Sequence, residues 1–364
     1  MKKHIISDIM NLISKLPLAL AIIACMASCD SVIYDYEGDC DPGTENPGNP
    51  GNPQGPQDPQ EPEEEGFFVK FVFDMNMQFV DAFSQKVKSV KLFVFQNGSY
   101  IKAYEETNAA VLSDPAYLMD VSDLSAGTYE LLAWCGLEGN KYFTVPLVIN
   151  SHNDADCTMT VVNGTQSDNL LPLFHGLTPA ATYTAAGGKQ VAEVRLTKDT
   201  NNINVTIQHQ EGLEFERNRF SAKITDNNGY MRYNNDVPAD NEDVEYLPHR
   251  TVYGKVSYET KAETVGNYLQ FEFATNRLME GHDATLAITD NEAGHIIFSF
   301  PVIEWALKLR SANYKSMPEQ EYLDRQDEYN LLVLLKNDAT GDGWIGAEIR
   351  IIDWHVIDDS SDIK

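Results

Sequence analysis

Five cysteines and eight histidines are the residues of this 364-residue chain best equipped for chemistry, and their spacing permits little of it. No pair of cysteines stands as CxxC, and no Cys/His spacing suits a zinc ion. No HExxH and no closely spaced histidine pair occurs. His209 alternates with Ile207 and Val205 as a strand-face residue would, and His175 is expected in a loop flanked by Pro and Gly. There is no GxSxG elbow and no phosphate-binding loop. Asp338-Ala-Thr340-Gly-Asp342-Gly343 opens like an EF-hand calcium loop, but Ile349 stands where the bidentate Glu belongs, so a hairpin turn is the better reading. With 55 Asp and Glu, chance carboxylate pairs are inevitable in any fold, and no glycosidase dyad is assigned. Trp134, Trp305 and Trp354 lie in apolar runs and read as core. The sequence therefore assigns no catalytic residue, no metal ligand and no cofactor, and it does not read as an enzyme.

One cysteine has a context of its own. Lys2, Lys3 and Lys15 make a basic leader, and an apolar run follows from Leu16 to Ala27. Twelve residues are too few to cross a bilayer, which takes about 20, but they match a secretory signal core. The run ends Met26-Ala27-Ser28-Cys29, which resembles a bacterial lipobox. The resemblance implies that Cys29 becomes the mature N-terminus and carries lipid, with residues 1–28 removed. Three acyl chains, at about 0.8 kcal/mol per buried CH₂, hold a protein in a membrane essentially permanently. Cys25 is a poorer acceptor, because Ile23-Ala24 precedes it. Cys40, Cys135 and Cys157 remain. Cys135 follows one apolar strand and Cys157 opens another, so they either pair as a disulfide across a sheet or sit as two small buried hydrophobes.

The formal charge of -28 excludes nucleic acid as a default partner, since phosphate binding needs a basic surface. The same charge opposes adsorption to anionic lipid. Residues 29–66 form an acidic segment in which seven prolines fall between 42 and 62. Such a segment favours extended polyproline II and acts as a spacer of about 3.1 Å per residue.

From Phe67 the pattern changes to period two, the mark of strands. Strands are predicted at Phe67–Phe73, Val90–Phe95, Tyr100–Tyr104, Tyr129–Trp134, Cys157–Val162 and Val191–Leu196, with Asn97-Gly98 as a hairpin turn. Phe79, Val80, Phe83 and Val87 predict a short amphipathic helix. The turn-rich Lys198–Asn202 marks a boundary, giving one domain over 67–200 and a second over 201–364. The second contributes Ile203–Ile207, Phe220–Ile224, Val252–Tyr258, Tyr268–Phe273, Ala284–Thr289, Ile296–Phe300, Leu331–Leu335 and Trp344–Ile357. A helix follows Pro301 with Glu304 and Lys308 as an i,i+4 pair, and Ser316–Glu319 reads as a capping box. Many short strands and few helices predict a mainly β chain of two β-sandwich domains.

Several segments together resemble the FimB-type fimbrial anchor family of Bacteroidetes, the base subunits of type V pili. They are Cys29-Asp-Ser-Val-Ile-Tyr-Asp-Tyr-Glu-Gly-Asp-Cys40-Asp-Pro42, Val69–Met77, Val87–Phe95, Leu196–Ile203 and Glu321–Tyr329. The Pro-rich insert at 43–65 departs from the family pattern. The resemblance implies two transthyretin-like sandwiches, outer-membrane attachment through Cys29, a place at the foot of a fimbria, and fimbrial shaft subunits (fimbrillins) as partners. The acidic residues after Cys29 (Asp30, Asp35, Glu37, Asp39 and Asp41) resemble surface-export signals of Bacteroidetes lipoproteins, so exposure at the cell surface is expected. In that family of filaments a trypsin-like protease removes the first strand of a shaft subunit, and another subunit's strand fills the groove. Here no Lys or Arg lies between Cys29 and Lys70, so the first strand is expected to stay. The candidate strand-exchange contact is Trp344–Ile357, where Ile345, Ala347, Ile349 and Ile351 alternate on one face. The competing reading is that this strand completes the second domain. The other roles considered are a surface glycan-binding lipoprotein and a fimbrial tip adhesin.

Overall fold

The structure is a computed structural model of the chain, and it describes residues 65–351 except 186, 258–264, 309 and 338–343. The leader, Cys29, Cys40, the stalk to residue 64, the 338–343 turn and Trp354 lie outside the described residues. Residues 61–364 belong to one compact unit.

The chain is mainly β, with short helices. Strands are numbered along the chain. One sheet holds β1 (Gly66–Val72) between β10 (Lys189–Arg195) and β4 (Met119–Asp120). A second runs β11 (Thr197–Lys198), β9 (Phe174–Tyr183), β5 (Gly127–Cys135), β2 (Val90–Gln96), β3 (Ser99–Glu106). These two sheets enclose a core that includes Phe67, Val69, Phe71, Leu92, Leu131 and Val194. Each such side chain contributes about 1.5–3 kcal/mol on leaving water. The β2–β3 hairpin turns on Asn97 and Gly98, both at positive φ (51° and 76°), as a two-residue turn requires.

Three further sheets build the rest. One runs β16 (Arg250–Ser257), β17 (Val265–Asn276), β12 (Thr200–His209), β20 (Glu328–Asn337), β21 (Trp344–Ile351). Facing it is β19 (His295–Pro301), β18 (Thr285–Asp290), β13 (Phe220–Asp226), β15 (Val244–Tyr246), β8 (Thr165–Gln166). A small sheet joins β14 (Tyr230–Met231), β7 (Cys157–Met159) and β6 (Phe143–Thr144). The second core gathers Ile203, Val205, Ile207, Ile224, Phe271 and Val333 between the two large sheets.

The β2–β5 layer is buried on both faces. Leu92, Val94, Leu131 and Ala133 point into the first core, while Phe93, Phe95, Leu132 and Trp134 join the second. Double burial explains why these two strands read as nearly unbroken apolar runs rather than alternating ones. Residues 143–173 also cross over: Phe143, Cys157, Met159 and Leu173 pack in the second core, and β7 and β8 pair with β14 and β15.

The helices are shorter than the sequence predicts. α1 is only Phe83–Lys86, and Phe79 is half-exposed in a left-handed turn (φ 56°) that Asn76 pins through bonds to the carbonyls of Phe73 and Val80. A second single turn, α2, spans Ala109–Leu112. α3 (Val302–Lys308) carries the expected Glu304–Lys308 ion pair. α4 (Glu319–Arg325) starts after Pro318 without any side-chain cap, so the predicted capping box does not form.

Strand β9 is absent from the sequence expectations. Gly176 and Pro179 break its pattern, and the register between β5 and β9 shifts between Tyr129 and Leu131, which leaves Pro179 outside the regular ladder where its missing N–H costs nothing. Gly176 is required there: a Cβ would lie 2.6 Å from Val194 Cγ1 and 2.7 Å from the Arg195 carbonyl.

Candidate functional site

The predicted contact strand, β21, lies at an edge of its sheet and pairs antiparallel with β20 along its length. In this structure it completes the sheet of its own chain. The register does not keep the four predicted positions in strict alternation. Ile351 and Ile349 stand opposite Leu331 and Val333, but a bulge passes over Ala347 and brings Ile345 opposite Lys336. A bulge of this kind is one way an edge is made less receptive to a second strand.

The first strand is held from both sides. β1 pairs parallel with β10 over all seven residues, Gly66↔Lys189 to Val72↔Arg195, and with β4 at Phe68 and Val69. Phe67, Val69 and Phe71 are fully buried. At its start Phe67 N donates to Ser122 Oγ (3.0 Å). Gly66 takes φ 140° there, where a Cβ would collide with the Ser122 hydroxyl. Lys70, the first basic residue after Cys29, is half-buried in the middle of this strand, opposite Glu193.

A buried polar clasp ties the two cores together. His175 lies in β9, not in a loop, and its Nε2–H donates to the Tyr233 carbonyl (2.8 Å). Burial pushes the imidazole down to about 3, so it is neutral. Asp199 is fully buried just before β12. Its Oδ1 accepts from Asn235 Nδ2 (2.8 Å), and its Oδ2 has no partner. Arg277 reaches Asp199 at 3.8 Å but is committed to Asp324 through two bonds of 2.9 and 2.8 Å, and it donates as well to the Asn235 carbonyl. One guanidinium thus serves two carboxylates, and burial pushes Asp199 up to about 7. Beside the clasp His152 stacks on Tyr233 (4.3 Å) and bonds Glu130 (2.8 Å). Asp199 and Asp324 fall within two of the segments that carry the family resemblance, but nothing in the sequence marks either as a buried acid, and Asn235 and Arg277 carry no signal at all.

Cys135 and Cys157 do not pair. Both are free and buried, Cys135 in the first core and Cys157 in the second, so the disulfide reading gives way to that of two small apolar residues. Burial raises both thiols and leaves them inert. His209 is structural: its Nε2 faces Asn337 Oδ1 (3.0 Å) and its Nδ1 accepts from the Glu211 and Leu213 amides. Trp134 is buried, with Nε1 donating to the Ala155 carbonyl (2.9 Å). Among the described residues, no three His, Cys, Asp or Glu side chains are placed to hold a metal ion, and no helix is long and apolar enough to cross a membrane.

Comparison with known proteins places this geometry. Residues 57–360 match the family of fimbrillin-A associated anchor proteins Mfa1 and Mfa2. Among solved structures, a candidate adhesin from Bacteroides thetaiotaomicron is 28% identical, with 81% of this chain and 98% of that chain covered at a TM-score of 0.69. A candidate polysaccharide-binding protein from the same organism is similar at 24% identity, 81% and 98% coverage and TM-score 0.67. The fimbrial anchor protein Mfa2 from Porphyromonas gingivalis shares the fold at 15% identity, 79% and 97% coverage and TM-score 0.60. No curated protein matches.

Proposed function

The chain belongs to the family of fimbrillin-A associated anchor proteins and is a fimbria-associated surface protein; from that premise we propose that it is the permanently tethered base of a fimbria. In this role lipid on Cys29 holds it to the outer membrane, the Pro-rich segment spaces the body from the bilayer, and fimbrial shaft subunits dock on the body. Its presence ends polymerisation, so it also limits filament length. The acidic residues that follow Cys29 favour display outside the cell.

The observation that carries this reading is the first strand. An Arg/Lys-specific protease finds no site between Cys29 and Lys70. The bond after Lys70 lies inside β1, paired on one side along its whole length. Proteolysis needs locally unfolded chain, and β1 cannot open without exposing Phe67, Val69 and Phe71. A subunit that keeps this strand stays joined to its lipid and offers no vacated groove to an incoming strand.

Deleting the gene in its own cell tests the role. Filaments should become longer and appear in the medium, and a Cys29→Ala chain should fail to restore attachment. Filaments that stay attached at unchanged length would end the proposal.

A further inference from the structure

Residues 145–149, the segment that leads from β6 toward β7, present apolar side chains to water. Pro146, Leu147 and Val148 are consecutive and exposed, Leu147 completely (102%) and Val148 at 73%. Three such residues in succession are a liability unless they have a use. Behind them lies an open groove of about 600 Å³, floored by Phe93, Ala103, Leu137 and Phe143.

The opposite border of the groove is β3, the last strand of its sheet. The chain itself takes the first rung of that free edge. Ser151 bridges antiparallel to Ser99, and Tyr100 N donates to the Asn150 carbonyl (2.8 Å). The segment then leaves the edge. The alternation of the β2–β3 ladder turns the peptide groups of Ala103 and Glu105 outward like that of Tyr100. Among the described residues, neither has a main-chain partner across that edge. The side chains of Tyr100, Ala103 and Glu105 line the groove.

We propose that this edge and groove take an extended peptide segment of a fimbrial subunit, which adds as a further strand against Ala103 and Glu105 beneath the Leu147–Val148 lip. Unused amides and carbonyls at strand spacing select a peptide backbone over a lipid or a sugar. The floor selects uncharged apolar side chains on alternate residues. Glu105 and Glu138 outnumber Lys91 at one end, so a lysine or arginine at that end of the guest is complementary. The naming of the partner rests on the anchoring role above; the site itself does not.

Replacing Leu147 by the photocrosslinker p-benzoylphenylalanine in the full-length chain, in its own cells, tests the site. Irradiation should join position 147 to one extended segment of a fimbrial subunit, and Ala103→Pro, which removes the outward N–H, should cut the yield at least ten-fold. Val148→Asp, on an exposed loop where folding is not at stake, should do the same. Crosslinks only to lipid or to a second copy of this chain, or a yield unmoved by Val148→Asp, would overturn the site. Attachment of filaments in the deletion strain is scored separately, so a lost docking site and a lost anchoring role give different results.

Discussion

Replacing Asp199 by Asn should change how stability depends on pH, with little change in shape. In the folded chain burial raises this carboxyl from 3.8 to about 7, because Arg277 is already held by Asp324 and cannot neutralise both acids. The folded state therefore binds more protons than the unfolded chain between about pH 4 and pH 7. Stability from this group is fully present below pH 4 and is lost as pH rises to 7. About three pH units at 1.36 kcal/mol each give an upper limit of about 4 kcal/mol. His175 acts in the opposite sense: lowered from 6.5 to about 3, it costs stability as pH falls through that window. Between about pH 4 and 6.5 the two groups together hold one proton whether the chain is folded or not, so their slopes cancel. Asp226, raised to about 7 by burial, adds a slope of its own and is common to both proteins compared. Urea unfolding of the body at pH 4.5, 5.5, 6.5 and 7.5 measures the difference. The Asp199→Asn protein should gain on the parent by roughly 1 kcal/mol per pH unit up to about pH 7. Parallel profiles for the two proteins would show that Asp199 is ionised when folded and would refute the shared-cation account of the clasp.

Three other outcomes are expected of the same structure. Native trypsin treatment of cells should leave the body attached, whereas Gln54→Arg, placed in the stalk, should release it; release of the unaltered chain by a cut before Phe71 would contradict the retained first strand. Gly176→Ala should destabilise the fold by about 1–3 kcal/mol in denaturant unfolding, because the new Cβ overlaps Val194 and the Arg195 carbonyl. Adding dithiothreitol should leave the melting temperature within about 1 °C, since Cys135 and Cys157 lie in separate cores; a clear drop would mean a disulfide exists.

The strands with one apolar face, and the doubly buried β2 and β5, are legible in the sequence because period and length are local properties of the chain. Asn97-Gly98 is legible because few other pairs fit a two-residue hairpin turn. What escapes is set by distant neighbours. β9 hides behind Gly176 and Pro179, whose roles exist only once β10 and β5 lie alongside. The apolar spacing at Phe79–Val87 suits a helix, but the bonds Asn76 donates to the Phe73 and Val80 carbonyls, and the one Asp81 accepts from the Phe83 amide, hold most of it as a turn. The excursion of residues 143–173 into the second core leaves no periodic trace. The clasp is the clearest case. Asp199, Asn235, Arg277 and Asp324 are ordinary polar residues scattered over the sequence, and only folding makes one cation answer two buried acids.

Parallel pairing of β1 with β10 has a mechanical consequence. The chain enters β1 at Gly66 at one end of the pair and leaves β10 at Arg195 at the other, on its way to β12. Tension between the stalk and the second core therefore runs along the two strands and loads their rungs together in shear. An antiparallel neighbour at that position would let the rungs break singly, in sequence, at far lower force. In the proposed anchoring role, a body dragged by a filament in flow would resist at β1, and in a single-molecule pull the first rupture should be the β1–β10 ladder giving way in one step.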